Sequence, residues 1–342
     1  MREILGVCVI LLCTCCSSSA SEDNLQKALG INMKTVSPVF LGCSAVSSTE
    51  IMFHFSLPIA IVSVKFEPDL EIAYVENGKT ATVHLSSEVS GGAPITANVL
   101  VEDGNRNTLN VLVSLRSRNE RLPSFLITEI RTEATKPKGE FVELKMLEDG
   151  NLCALQMFVA TDNMETPSFE FPSIEVKKGD YAVVHLRTYE ENAVNETSGN
   201  KAESKAKDSS DTAWDLWLPS SGERLRKTDA VFFMDQDDNV VDAVIFSADG
   251  TWGNKTSENM ERASVLLGEQ EAWLFESEGV PAPSGAFPSG DTTSTRTICR
   301  NEAVLDSNTA DDWYITVSSG ATPGKPNNKG RYVAKKKVAG VN

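Results

Sequence analysis

Thr80-Ala81-Thr82-Val83-His84-Leu85 is the stretch that decides the fold of the N-terminal half. Apolar and polar residues alternate with a period of two, which places Ala81, Val83 and Leu85 on the buried face of an extended strand and turns His84 outward. The same texture surrounds it in Glu50-Ile51-Met52-Phe53-His54-Phe55, Ile59 to Phe66, Ile95 to Val101 and Leu109 to Leu115. Turn clusters separate these runs. In Glu102-Asp103-Gly104-Asn105 the glycine is free to take positive φ between two strands. Short strands at this spacing predict a β-sandwich over residues 30–120.

Arg118 to Pro123 breaks the pattern with a charged, proline-ended joint, and a second module is read over 122–328. Its strands are expected at Leu126-Ile127-Thr128-Glu129-Ile130, Gly139-Glu140-Phe141-Val142-Glu143-Leu144, Leu152 to Val159, Tyr181 to Leu186, Ala230 to Met234, Val240 to Phe246 and Trp313 to Val317. Trp214, Trp217, Trp252, Trp273 and Trp313 all fall in this half, and clustered aromatics argue for packing before a ligand shelf. Glu190 to Thr212 is polar, charged and low in aromatics, so it reads as a mobile loop. Pro281 to Thr293, rich in proline, glycine and serine, reads likewise.

Several segments of this half carry a family resemblance. The opening strand pair, Trp214-Asp215, Asp229-Ala230-Val231, the acidic turn Asp235-Gln236-Asp237-Asp238-Asn239 leading to Val240-Val241-Asp242, Ala310-Asp311-Asp312-Trp313, and the close Ala321-Thr322-Pro323-Gly324-Lys325-Pro326-Asn327 together resemble a bacterial lamin-tail domain. The Thr-Pro-Gly-x-x-Asn close is the most specific piece. The resemblance implies an Ig-like sandwich enlarged by insertions near 190–212 and 281–293. In the first module, Ser44 to Pro58 followed by the Asp-Gly-Asn hairpin weakly resembles bacterial Ig-like domains. The expected fold class is therefore all-β, two Ig-like β-sandwiches in tandem after a signal peptide and a flexible tether.

At the N-terminus, Ile4 to Cys13 is an apolar run of signal-peptide length, too short to span a bilayer as a helix. Leu12-Cys13-Thr14-Cys15 followed by serines resembles a bacterial lipoprotein signal. That implies a signal peptide over 1–15, a tether over 16–29 and lipid attachment at Cys15, with Cys16 as the alternative acceptor. Ordinary secretion, with cleavage after Ser18-Ser19-Ala20, is the competing reading. Lipidation implies a diacylglycerol and acyl anchor in the cell envelope, on the periplasmic face or the cell surface. Residues 329–342 read as a basic tail.

Chain-wide numbers narrow the partners. With 342 residues there is material for two cores, and a net charge of −16 disfavours nucleic acid and anionic lipid as non-specific partners. Seven cysteines leave Cys43, Cys153 and Cys299 for the folded part. A Cys153–Cys299 bridge and two buried thiols are both open, and no metal spacing is present. His54, His84 and His185 read as strand histidines facing solvent or hydrogen-bonded, with no company of ligands. The Asp235 cluster fails the EF-hand pattern because Val240 takes the glycine position and Phe246 the glutamate position, and a hairpin turn explains it. Hydrolase, zincin, Walker and dinucleotide signatures are absent. The expectation is a non-catalytic, membrane-anchored envelope lipoprotein that binds a protein partner or serves as a scaffold, without cofactor or metal. A small-ligand or Ca²⁺ receptor is the alternative, and a glycan- or ester-hydrolysing enzyme the third.

Overall fold

A computed structural model describes residues 36–275 and 281–334. The apolar leader, both acceptor cysteines Cys15 and Cys16, the tether and most of the basic tail lie outside the described residues. The chain divides into two compact units, Met1–Glu120 and Arg121–Asn342. The fold is all-β, with one α-helix among the described residues.

The first unit is built from β1 (Phe40–Ala45), β2 (Glu50–Glu67), β3 (Ile72–Glu76), β4 (Gly78–Leu85), β5 (Pro94–Asp103) and β6 (Thr108–Arg116). Sequence reading separates a run at Glu50 to Phe55 from one at Ile59 to Phe66; instead β2 joins them through Pro58 into one strand of 18 residues. Its first half pairs with β1 and β4 and its second half with β5, with register shifts between His54 and Ile59 and between Ile61 and Ser63. A proline is tolerated where the strand changes partners and the ladder is already interrupted. The two halves enclose one core of Ile51, Phe53, Phe55, Ala81, Val83, Val99, Val101 and Val111, as the alternation requires. At the β5–β6 hairpin it is Arg106, not Gly104, that takes positive φ (66°). Asp103 makes this possible by accepting from the amides of Asn105 and Asn107, both at 2.8 Å.

The second unit packs two sheets around a large core that includes Ile130, Val142, Leu144, Val184, Phe232, Phe246 and Trp273. The six-stranded sheet runs β14 (Ala213–Trp217), β13 (Tyr181–His185), β8 (Phe141–Met146), β7 (Phe125–Arg131), β18 (Ile298–Arg300), β19 (Trp313–Ile315). The five-stranded sheet runs β11 (Phe169–Glu170), β10 (Gln156–Val159), β15 (Asp229–Met234), β16 (Val240–Ser247), β17 (Phe287–Pro288). A short pair, β9 (Gly150–Asn151) with β12 (Glu175–Val176), completes it. All five tryptophans are buried. The strand read at Leu152 begins only at Gln156, because Ala154 turns the chain with φ 61° and Leu155 bonds back to Leu152. The helix α1 (Ser257–Glu269) was not expected; it buries Met260, Ala263, Ser264 and Leu267, a single helical stripe.

Parallel pairing of β13 with β14 is also unanticipated. It requires a crossover, and residues 186–212 supply it without a helix. The mobile loop expected at 190–212 is corrected here: Glu196, Ser204, Ala206 and Asp208 within it are buried. The segment expected to be loose at 281–293 likewise contributes β17 and the buried Ser289 and Thr292.

Candidate functional site

Strand register on the six-stranded sheet places a polar row on the face opposite the main core. Asp215 pairs with Val183, Val183 with Glu143, Glu143 with Glu129, Glu129 with Cys299, and Cys299 with Tyr314, so one residue from each of the six strands lines up. Two residues along lies a second row, Trp217, His185, Phe141 and Arg131. A sheet face of this composition belongs in water, yet Glu129, Glu143 and Asp215 are wholly buried. The crossover 186–212 and the closing segment 321–328 cover it, and their hydrogen bonds explain why burial is tolerated.

The closing motif serves the two glutamates. Thr322 donates its amide to Glu129 Oε2 (2.9 Å), and Gly324 donates its amide to Glu143 Oε2 (2.6 Å). The remaining oxygens accept from Thr297 Oγ1 (2.5 Å) and Thr128 Oγ1 (2.7 Å). Asn327 Nδ2 clamps the segment to the carbonyls of Thr128 (2.8 Å) and Arg300 (3.0 Å). Gly324 has φ 76°, and a Cβ there would lie 2.5 Å from Ser210 Oγ and from Thr212 Oγ1. Burial pushes both carboxyls up, Glu143 furthest because the Glu129 charge adds to it.

The crossover serves a second cluster. Asp208 accepts from Arg131 Nη1 at 2.8 and 3.0 Å and from the amide of Gly139 at 3.0 Å. His185 Nε2 bonds Asp215 Oδ1 at 2.8 Å, its Nδ1 lies 3.7 Å from Asp208 Oδ2, and its ring stacks on Trp217 with centroids 3.7 Å apart. Asp215 Oδ2 accepts from the amide of Ser210 (2.5 Å). Glu196 accepts from the amides of Ser204 (3.0 Å) and Asp215 (2.7 Å). Burial would lower the His185 pKa, but the Asp208 and Asp215 carboxylates outweigh it and hold the imidazole above its ordinary value. Burial raises Asp208 in turn, and the bonds from His185 and Arg131 bring it below the usual carboxylate range. Of the two readings of His185, facing solvent or hydrogen-bonded, the structure has the second: the ring is buried and bonded to Asp215, and with the Arg131 guanidinium it sits among carboxylates under the crossover.

These bonds order the backbone of the crossover and of the closing segment. His185 stands three strands from Cys299, about 14 Å at a sheet's strand spacing, too far to act as its base. Burial pushes the Cys299 thiol well above its ordinary value, which removes the thiolate that nucleophilic chemistry needs. Glu129 and Glu143 are neighbours on adjacent strands, as paired glycosidase carboxylates are, but each oxygen already holds an internal donor.

The other residues named from sequence are placed as follows. No disulfide joins Cys153 and Cys299. Cys153 follows β9 in a turn, where its amide bonds Asn151 Oδ1, while Cys299 sits mid-sheet between Glu129 and Tyr314; both side chains are buried. His54 bonds Thr80 Oγ1 at 3.2 Å. His84 is on the outer face but wedged between Tyr74, stacked at 4.0 Å, and the carboxylates of Glu50 (3.2 Å) and Glu76 (3.6 Å). Asp235 Oδ1 accepts from the amides of Asp237 and Asn239 (2.8 and 2.9 Å), a hairpin turn with Asp238 at φ 61°. Asp208, Glu196 and Arg131 were missed by sequence reasoning. The Thr-Pro-Gly-x-x-Asn motif was the signal available for the glutamate cover.

The family described as TP_1001_2nd, protein second domain, matches residues 123–315. An uncharacterized protein of Treponema pallidum (strain Nichols) is 26% identical over 208 residues, covering 59% of this chain and 52% of that protein. The chain thus spans about half the length of the curated relative it matches. Among solved structures, a DUF4876 family protein from Bacteroides thetaiotaomicron VPI-5482 is 12% identical, covering 89% of this chain and 98% of that one, with a TM-score of 0.30. The N-terminal part of the bacterial S-layer protein SbsC is 16% identical, covering 47% and 43%, with a TM-score of 0.25. Likenesses this low carry no role across.

Proposed function

The chain belongs to the TP_1001_2nd family, and we propose that it is a non-catalytic envelope lipoprotein: exported, held to a membrane by lipid on Cys15 or Cys16, and presenting its second unit as a rigid, lamin-tail-like scaffold or protein-binding module. The observation that carries the reading is the sealed polar face. Its acids, His185 and Arg131 are committed to internal bonds that pin two coil segments onto a sheet. That favours a stiff body, since the oxygens of Glu129, Glu143, Glu196, Asp208 and Asp215 each hold an internal donor, while His185 Nδ1, Arg131 Nε, Trp217 Nε1 and Asn327 Oδ1 are buried without a hydrogen bond. Export and anchoring rest on the apolar run Ile4 to Cys13 and the serine-flanked cysteines after it.

The experiment is protease accessibility of the second unit in intact and permeabilised cells, with a Cys15→Ala, Cys16→Ala variant run beside the parent. The parent is expected in the detergent phase and the variant in the medium or the aqueous phase. A parent that partitions as a water-soluble protein would refute the anchor. Digestion in intact cells directs the search to external partners; protection until permeabilisation directs it to the periplasm.

A further inference from the structure

Glu129 and Glu143 form one cross-strand pair of the six-stranded sheet, and both are 0% exposed. Directly paired residues hold their Cβ atoms about 4.5–5.5 Å apart, so the two carboxyls are neighbours inside a sealed site. A buried carboxylate is ordinarily compensated by a cation. Among the described residues, no cation forms an ion pair with either glutamate. Arg131 of β7 acts on Glu129 only at a distance, its Nη1 being bonded to Asp208 (2.8 Å), and Lys145 of β8 is paired with Glu302. The remaining groups add negative charge or none. Glu302, which accepts from the amide of Asn327 (2.9 Å), adds its charge at Glu143. Asp215 of β14 and Asp208 and Glu196 of the crossover lie over the same face, with His185 of β13 between the two aspartates. Burial holds the Tyr181 phenol of β13, the Cys299 thiol of β18 and the Tyr314 phenol of β19 above their ordinary values, so all three are neutral. Lys325 of the closing segment is exposed. Two adjacent carboxylates without a cation are the arrangement in which one keeps its proton.

The hydrogen bonds leave a place for that proton. Each carboxyl faces one backbone amide, which only donates, and one threonine hydroxyl, which donates to a carboxylate or accepts from a protonated carboxyl. A proton on Glu129 Oε1 points to Thr297 Oγ1 (2.5 Å), whose own hydrogen then has Thr316 Oγ1 at 3.1 Å. A proton on Glu143 Oε1 points to Thr128 Oγ1 (2.7 Å). Neither placement disturbs the amides of Thr322 and Gly324 that hold the closing segment. We propose that Glu129 and Glu143 share one proton in the folded protein, and that this proton seals the closing segment 321–328 over the sheet. Its loss sets two uncompensated charges side by side under the cover, and opening to water relieves them. Both carboxyls are held above their ordinary 4.5, so the contribution of the proton is complete below that pH and is lost as pH rises through the folded values. The closing segment is an alkali-sensitive latch.

The test is backbone hydrogen exchange at Thr322 and Gly324 in the full chain between about pH 6 and pH 9, each rate divided by that of the free peptide, for the parent, Glu143→Gln and Glu129→Gln. Either substitution keeps the side-chain shape and leaves the site with the single charge it already carries. Protection in the parent is expected to fall by about tenfold per pH unit more steeply than in either variant, because only the parent releases this proton on opening. His185 is intact in all three chains and drops out of the comparison. Tryptophan fluorescence reports whether each variant folds, and if one does not, the profile of the other decides. Parallel profiles for parent and variant overturn the proposal, as does a folded variant less protected than the parent at the alkaline end. Flattening in one of two folded variants alone also overturns it, because that places the proton on a single glutamate.

Discussion

Asp208→Asn removes one negative charge from a site where Arg131 is only 1% exposed. Arg131 Nη1 loses its counter-charge at 2.8 Å, and the new amide group must face two donors, Arg131 and the backbone of Gly139. Breaking a buried ion pair from one side costs about 3–5 kcal/mol, because the partner stays buried and uncompensated. For a unit of this size that lowers the melting midpoint by about 6–20 °C. Tryptophan fluorescence reads the effect cleanly, since all five tryptophans lie between Trp214 and Trp313 and the first unit contributes none. The double variant Arg131→Met, Asp208→Leu is expected to recover much of the loss, as apolar pairs replace buried ion pairs at little cost, though the Gly139 amide stays unpaired. A shift within about 0.5 kcal/mol for Asp208→Asn, the range of surface substitutions, would refute the reasoning. That is the outcome a mobile 190–212 loop would give.

Gly324→Ala should destabilise the second unit by about 2–3 kcal/mol, combining the left-handed φ with contacts at Ser210 and Thr212. Gly222→Ala, where the nearest atom to a Cβ is Ser220 Oγ at 3.7 Å, should stay within about 0.5 kcal/mol in the same melt. The His185 cluster gives a signed pH profile. His185 is held above its ordinary 6.5, so its contribution is complete below that pH and is lost as pH rises through the folded value. Asp208 is held below 3.8, so its contribution is complete above that pH and is lost as pH falls through the folded value. Denaturant midpoints taken across the alkaline limb should therefore fall for the parent and flatten for His185→Gln; parallel slopes would count against an imidazolium in the folded state. Finally, intact-mass measurement after thiol alkylation of the oxidised, denatured protein should show both Cys153 and Cys299 modified, whereas a bridge would leave both unmodified.

Much of the all-β fold was legible because strand alternation is a local signal. Ala81, Val83 and Leu85 point inward as their period dictates, and Asp103 and Asp235 close the hairpins their sequences announce. What failed was anything settled by distant partners. β2 survives Pro58 because β4 and β5 hold it on either side, which no local pattern displays. The crossover looked disordered because its composition is polar. Its Glu196 and Asp208 are polar for the opposite reason: they anchor it to Asp215, Arg131 and Gly139. The helix was readable in Met260, Ala263, Ser264 and Leu267, a spacing that strand-oriented reading passed over. The Thr-Pro-Gly-x-x-Asn motif was visible as a pattern, but its physical reason, two amides and one side-chain amide serving Glu129, Glu143 and the Thr128 carbonyl, exists only across more than 180 residues of chain.

Backbone hydrogen exchange, resolved to the amides of Ser204, Ser210, Thr322 and Gly324, tests the sealed polar face most directly. Each donates to a buried carboxylate from a segment without regular secondary structure. Protection comparable with that of Val183 and Val142 in the sheet beneath is expected, because these amides open only when the second unit opens. Exchange at the rate of an unstructured loop, with the sheet still protected, would contradict it.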